Sequence, residues 1–280
     1  MKLRTRFCYS FRQHPMMYLG MLVLLLLAFI AVAAPWLSRI DPLDIDPLAR
    51  MKPPSLAHFF GTDGLGRDVY ARTLWGSRVS LIVGIAVSFI SVAAGVAIGM
   101  IAGYFRHIDM FIMRIMDGLM AIPGVLLAIA LMAAFRGGLA TVIFAIVIPE
   151  IPRVVRLVRA LVIIIRNQPY VEAAVALGSR TPKILLQHIL PNLFAPLMVQ
   201  ATFIAASAII TEAVLSFLGV GIPPQIPSWG NIMAEGRNYL AIAFHIILFP
   251  GLFLAVTVLA INMLGDGLRD MLDPKLAKKI

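Results

Sequence analysis

Residues 79–103 read VSLIVGIAVSFISVAAGVAIGMIAG and contain no charged side chain. An α-helix rises about 1.5 Å per residue, so about 20 apolar residues cross the hydrocarbon core of a bilayer. This stretch is long enough to cross as a single helix. It therefore predicts an integral membrane protein of the all-α class.

The composition of the whole chain agrees with a lipid environment. Of the 280 residues, 60% are hydrophobic and 14% are charged, whereas a soluble domain has about half apolar and about a quarter charged residues. The formal net charge is +10, but the arginines are scattered between apolar blocks, and no basic run contains aromatic residues. Segments that flank membrane spans are typically rich in Lys and Arg. The charge thus indicates membrane topology and not a nucleic-acid partner. The single cysteine, Cys8, excludes an internal disulfide.

Further apolar blocks on either side of residues 79–103 predict a six-helix transmembrane bundle. The fourth block differs from the others because Pro149, Glu150, Pro152 and Arg153 interrupt it. A helix there must kink and turn its polar positions toward protein or water. The six blocks lie at about 16–37, 79–103, 115–135, 139–158, 193–218 and 240–264.

The distribution of basic residues between the loops predicts the orientation of the chain. With six spans, Lys and Arg number 15 on the side of the two termini and 8 on the other side. Because cytoplasmic loops carry the excess of positive charge, we expect both termini to be cytoplasmic. The predicted organisation is a cytoplasmic N-tail with the first transmembrane helix at 1–38, an extracytoplasmic segment at 39–78 and a transmembrane core of five helices at 79–280.

A cytoplasmic loop at about 167–192 has the pattern of two short helices. Pro169 suits the start of a helix, and Gly178 can end it in the left-handed conformation. A second helix is predicted over Lys183–Leu190, where Pro191 would stop it. Helices this short are unstable alone in water. They must therefore pack on something else. The residues are equally consistent with packing in a groove of another protein and with packing on a lipid surface.

The same loop carries a motif of wider significance. Glu172-Ala173-Ala174, followed by Gly178 and then by Leu190-Pro191, resembles the cytoplasmic EAA loop of bacterial ABC importer permeases, with matching spacing. One position departs, because His188 stands where the general pattern has an aliphatic residue. The string from His188 to Asn192 instead resembles the dipeptide/oligopeptide/nickel branch of that family.

Three other stretches resemble the same branch, and together the motifs cover most of the chain from Gly61 onward. They are GTDGLGRD at 61–68, LSFLG at 215–219 with PSWG at 227–230, and GDGLRD at 265–270 followed by Asp273-Pro274. The residues singled out in the extracytoplasmic motifs are Gly61, Thr62, Asp63, Gly66, Arg67, Asp68, Trp229 and Gly230.

The resemblance implies a permease subunit of the bacterial inner membrane, with the fold of the ABC importer permeases. It implies four kinds of partner besides lipid: a homologous permease, two cytoplasmic ATPases that bind ATP and Mg²⁺, and an extracytoplasmic substrate-binding protein. The EAA loop would couple the chain to the ATPases through Glu172, Ala173, Ala174, Gly178, Leu190 and Pro191. The implied cargo is a di- or oligopeptide, with nickel or another small solute as the alternative.

The chain itself lacks the residues that an ATPase site needs. The glycine-rich stretch Gly61–Asp68 has no lysine that would reach a phosphate, and its glycines are better explained as turn residues. No zinc-spaced Cys/His set and no G-x-S-x-G nucleophile motif occurs either. We therefore expect no catalytic residue, no metal site and no cofactor in this chain.

Polar residues inside the apolar blocks leave one alternative function open. Glu212 suits either a pathway-lining carboxylate or an interhelical hydrogen bond at a packing seam, and its neighbours Thr211 and Ser216 favour the seam. A self-sufficient, ion-coupled secondary transporter would need such carboxylates near a broken helix. Glu150 in the interrupted fourth block is the feature that favours it. Gly95, Gly99 and Gly103 form a stripe that predicts close helix packing.

Overall fold

The computed structural model describes residues 15–135 and 137–272. Within these residues every regular element is helical, apart from an isolated antiparallel bridge between Thr62 and Asp68. The predicted N-terminal tail and the Asp273-Pro274 motif lie outside the described residues. The principal helices are α1 Pro15–Leu37, α2 Val69–Tyr104, α3 Arg106–Met120, α4 Gly124–Ala134, α5 Leu139–Arg166, α6 Pro169–Ala176, α7 Thr181–Phe217, α8 Trp229–Gly236 and α9 His245–Leu272.

Four of these helices are long and apolar enough to cross a membrane, namely α1, α2, α7 and α9. The pair α3 and α4 makes a fifth candidate if it is counted as one broken span. Helix α5 has 28 residues, which is a sufficient length, but four charged residues between 150 and 159 set its composition apart from an ordinary span. The expectation of an all-α membrane protein is confirmed, whereas the described residues support four or five spans by length and composition.

The third predicted span is not a single helix. Helix α3 ends at Met120, α4 begins at Gly124, and the two are bent by 88°. Pro123 lies at this junction as the N-cap of α4. Proline has no N–H to donate and its ring collides with the carbonyl four residues earlier, so a helix breaks there. Apolar composition alone hid the break.

Helices α2, α5 and α7 supply most of the largest buried hydrophobic cluster, and the glycine stripe of α2 determines how closely α5 approaches it. Gly95, Gly99 and Gly103 face Val154, Val158 and Val162 of α5, respectively. A Cβ at Gly99 or at Gly103 would lie 2.7 Å from the Cβ of its valine. The predicted packing role of the stripe is confirmed.

Gly99→Ala is expected to destabilise the protein by about 1–3 kcal/mol, the usual cost of inserting a methyl group into a close-packed core. The added Cβ would also lie 2.9 Å from the carbonyl oxygen of Val155, so α2 and α5 must separate. Thermal unfolding in detergent measures the effect. Val158→Ala in the same chain should restore part of the loss, and Gly118→Ala, where no atom lies within 4 Å of the new Cβ, should change little. Equal melting temperatures for the Gly99 and Gly118 variants would contradict the packing role.

Helix α7 continues through the position where Pro191 was predicted to stop it. It runs from Thr181 to Phe217, 37 residues in all, with a π-helical segment at Ile184–Ile189. The prediction of a separate Lys183–Leu190 helix is therefore wrong. In the π segment Leu190 donates its N–H to the carbonyl of Leu185, five residues earlier. This wider turn accommodates a proline that has no N–H of its own.

Candidate coupling loop and extracytoplasmic network

The loop between α5 and α7 folds around a turn at Gly178. Gly178 has a φ of 76°, which L-residues with side chains rarely adopt. Its N–H bonds the carbonyl of Val175 at 2.9 Å, and the N–H of Ser179 bonds that of Ala174 at 3.0 Å. This pair of bonds is the Schellman motif that ends many helices. The predicted left-handed end of the first short helix is thus confirmed.

Helix α6 presents one face to the body of the protein and one face to the outside. Val171 is buried in the main hydrophobic cluster, and Ala174 is buried as well. Glu172 and Ala173 lie on the outward face. Of the residues predicted to couple, Glu172, Ala173, Gly178 and Pro191 are exposed, Leu190 is half-buried and Ala174 is buried. Ala174 can therefore anchor the loop, whereas the outward residues are free to meet a partner.

Apolar side chains that sequence reasoning passed over enlarge the outward face. The side chain of Leu177 is 86% exposed, and those of Val175 and Leu186 are more than half exposed. The loop is also braced internally, because the side-chain amide of Asn192 donates to the Tyr170 hydroxyl at 3.2 Å and to the His188 carbonyl at 2.7 Å. The loop is therefore held in shape by internal hydrogen bonds, and it exposes the apolar side chain of Leu177 close to the carboxylate of Glu172.

The second site is a buried ion network built from the motif at 61–68. The Asp63 carboxylate accepts from Arg67 Nε at 2.7 Å and from Arg72 at 2.6 Å. Glu235 of α8 accepts from the same two arginines, at 2.5 Å from Arg72. Arg72 and Asp63 are almost wholly buried. The network therefore joins the 61–68 segment, the first turns of α2 and α8.

The remaining residues of the 61–68 motif shape the chain around this network. Gly61 and Gly66 have positive φ angles, which agrees with the prediction that they are turn residues. Thr62 accepts the backbone N–H of Lys52 at 2.9 Å. Asp68 caps α2 by accepting from the N–H of Ala71 at 2.7 Å, and its other oxygen lies 2.8 Å from His58 Nδ1.

The PSWG motif at 227–230 packs against the first turns of α2, close to the ion network. Trp229 is fully buried and its indole N–H donates to the carbonyl of Thr73 at 3.1 Å. Gly230 lies against α7, where a Cβ would come 2.6 Å from the Cα of Ala213. The motifs at 61–68 and 227–230 thus belong to one unit. Sequence reasoning missed Arg72 and Glu235, for which no local pattern gave a signal.

Glu212 lies fully buried where α2 and α7 meet. Its carboxylate accepts from Ser216 at 2.8 Å and from Ser80 of α2 at 3.4 Å. All three side chains are buried. This is the environment of an interhelical hydrogen bond, and the carboxylate does not face an open space.

Comparison with known proteins identifies the chain as a component of a membrane transport system. The family described as "Binding-protein-dependent transport system inner membrane component" matches residues 95–278, and the chain belongs to that family. The description "N-terminal TM domain of oligopeptide transport permease C" matches residues 3–54. The resemblance inferred from the EAA loop and the other motifs is therefore confirmed.

Three relatives indicate the branch of the family. A probable peptide ABC transporter permease protein of Sinorhizobium fredii is 55% identical over 264 residues, which cover 94% of this chain and 90% of the relative. A di/tripeptide transport system permease protein of Pseudomonas aeruginosa is 42% identical over 92% of this chain and 87% of its own length. An oligopeptide transport system permease protein of Bacillus subtilis is 39% identical, with 96% and 88% covered.

Proposed function

We propose that this chain is one of two homologous permease subunits in an ATP-driven importer of di- or oligopeptides. The observation that carries the proposal is the braced loop at 167–192, which presents Glu172, Ala173 and the Leu177 tip outward. The names of the similar permeases support peptide as the cargo. An extracytoplasmic binding protein delivers the peptide, and the two permeases form the pathway between them.

The energy comes from two partner ATPases that bind ATP and Mg²⁺ and take up the coupling loop. Short helices with an exposed apolar tip suit a groove in a partner protein. Glu172 is available for a basic residue in that groove. ATP-driven movement of the ATPases displaces the loop and switches the cavity between outward and inward access. This chain needs no nucleotide site of its own for that role.

We further propose six spans, with both termini and the coupling loop in the cytoplasm. The broken pair α3 and α4 counts as the third span and α5 as the fourth. Two of the charges of α5 are matched to partners, since Arg156 lies 2.6 Å from Asp117 and Arg159 is paired with Asp109. Intramembrane charges are tolerated when they pair within the bundle. The charge split between the loops supports the orientation.

Cysteine labelling tests this topology. Cys8→Ala gives a cysteine-free background, to which Leu56→Cys or Leu177→Cys is added, because these side chains are 95% and 86% exposed. An impermeant thiol reagent should label position 56 in intact spheroplasts. Position 177, in cells that lack the partner ATPases, should react only after permeabilisation. The reverse pattern, or labelling of both positions in intact cells, would contradict the topology.

Uptake by the reconstituted assembly tests the function itself. Proteoliposomes that contain both permeases, both ATPases and the binding protein should accumulate a radiolabelled dipeptide. This accumulation should require ATP and Mg²⁺ on the side of the membrane where the ATPases are bound. This chain alone, under a proton or sodium gradient, should accumulate none. Gradient-driven uptake by the isolated chain would instead identify a secondary transporter, with Glu150 and Glu212 as its candidate carboxylates.

A further inference from the structure

A polar cavity of 320 Å³ opens at the break between α3 and α4. Its walls come from the end of α3, from α4, α5 and α7, and from the residues of the break itself. The polar residues that line it are Glu150 and Arg153 of α5 and Ser207 and Thr211 of α7. The lining includes neither Glu212 nor any residue of the buried ion network around Asp63 and Arg72.

The elements around the cavity reach it at a common depth. Gly124 begins α4 and is ten residues from the end of that helix. Glu150 is eleven residues from the start of α5, and Ser207 is ten residues from the end of α7. With about 1.5 Å per residue, each lies about 15 Å from its helix end. In the proposed topology all three ends are extracytoplasmic. With those ends at the membrane surface, the cavity would lie near the middle of a hydrocarbon core about 30 Å thick.

The charged side chains of Glu150 and Arg153 make longer polar contacts than the next charged residue of α5. Arg153 lies 3.4 Å from both carboxylate oxygens of Glu150, and Ser207 is also 3.4 Å from that carboxylate. One turn further, Arg156 holds Asp117 at 2.6 Å. The side chain of Arg153 is 58% exposed, whereas that of Glu150 is 9% exposed. A guanidinium that faced lipid at this depth would be costly, so this surface must face water or protein.

We propose that this cavity is the part of the pathway that receives the charged ends of a peptide main chain. The Glu150 carboxylate binds the terminal ammonium group, and the Arg153 guanidinium binds the terminal carboxylate in the two-pronged geometry that arginine favours. Ser207 adds a hydroxyl for the peptide amides. A pair at 3.4 Å can exchange for such a zwitterion, because each charge replaces its present partner with an oppositely charged end of the peptide. The inference rests on the proposed peptide import.

The experiment places a single cysteine in one of two walls of the cavity and measures its reaction with a charged thiol reagent. In the Cys8→Ala background, Ser207→Cys reports on α7 and Val125→Cys on α4. Phe89→Cys is the control, because its side chain is 74% exposed and lies among apolar side chains of α2 and its neighbours. Only a thiolate in water reacts, so both cavity positions should react at least about tenfold faster than position 89. A dipeptide under turnover conditions should slow that reaction.

The charges are then removed one at a time in the Ser207→Cys chain. Glu150→Gln or Arg153→Gln should abolish protection by a dipeptide while the cysteine remains reactive. Reaction at both cavity positions as slow as at position 89 would overturn the inference, and so would protection that survives both substitutions. If the wild-type assembly imports the dipeptide but these tests fail, only the assignment of the cavity is wrong. If the wild-type assembly does not import it, the proposed function is wrong and the inference falls with it.

Discussion

Gly178→Val is expected to lower substrate-stimulated ATP hydrolysis by the full assembly about tenfold, without preventing membrane insertion. A side chain in the left-handed conformation costs roughly 1–2 kcal/mol per residue, and a β-branched residue fits it poorly. A difference of about 1.4 kcal/mol changes an equilibrium tenfold. No atom lies within 4 Å of the Cβ position. The loss would therefore come from the turn that holds the loop in shape, and not from a clash.

Gly219→Val is a matched control for that result. Gly219 has a φ of 81° and is likewise open around its Cβ position, but it follows the other end of α7. Gly219→Val should carry the same backbone strain and leave coupling largely intact. Gly178→Asn should couple better than Gly178→Val, because Asn tolerates this conformation. ATP hydrolysis with and without loaded binding protein measures all three. Equal losses at 178 and 219, or normal stimulation in Gly178→Val, would remove the loop turn from the coupling mechanism.

Arg72→Met is expected to destabilise the unit around the buried ion network by about 3–5 kcal/mol, the usual cost of removing one partner from a buried ion pair. Arg72 is fully buried and contacts both Asp63 and Glu235. Its loss leaves Arg67 alone to compensate two carboxylates. Because Trp229 is buried against this unit, its fluorescence during thermal unfolding in detergent reports the change.

Arg78→Met tests whether the effect belongs to the network or to any arginine of α2. Arg78 lies two turns further along, partly exposed, with its guanidinium 5.1 Å from the Trp75 ring centre. A cation–π contact at such a site is worth about 0.5–1 kcal/mol, so its variant should melt close to the wild type. If the Arg72 and Arg78 variants melted at the same temperature, the network would not be what holds the segment to α8.

Features that depend on neighbouring residues could be predicted from the sequence. The turn at Gly178 follows from a glycine at the end of a short helix, and the approach of α2 to α5 follows from glycines four residues apart. The membership of the family followed from strings of a few residues at fixed spacing. The break at Pro123 was also local, but the apolar character of the residues around it hid the signal.

Features that depend on distant residues could not be predicted. Arg72 and Glu235 are 163 positions apart, and nothing near either residue indicates the other. The inward orientation of Ala174 is set by packing of α6 on the body, which composition does not encode. The grouping of Glu150 with Ser207 likewise requires knowing that α5 and α7 lie side by side. The local sequence around one residue does not show which distant residue it contacts in the folded protein.

The continuity of α7 has a mechanical consequence. One helix of 37 residues extends about 55 Å, from the turn after Gly178 to the residues that pack on Trp229. A stiff rod of that length, tilted by about 6° around its middle, moves each end by about 3 Å in opposite directions. The loop at 167–192 and the segment around Trp229 would then be linked mechanically through α7. The π-helical segment at Ile184–Ile189 lies close to the loop end of this helix.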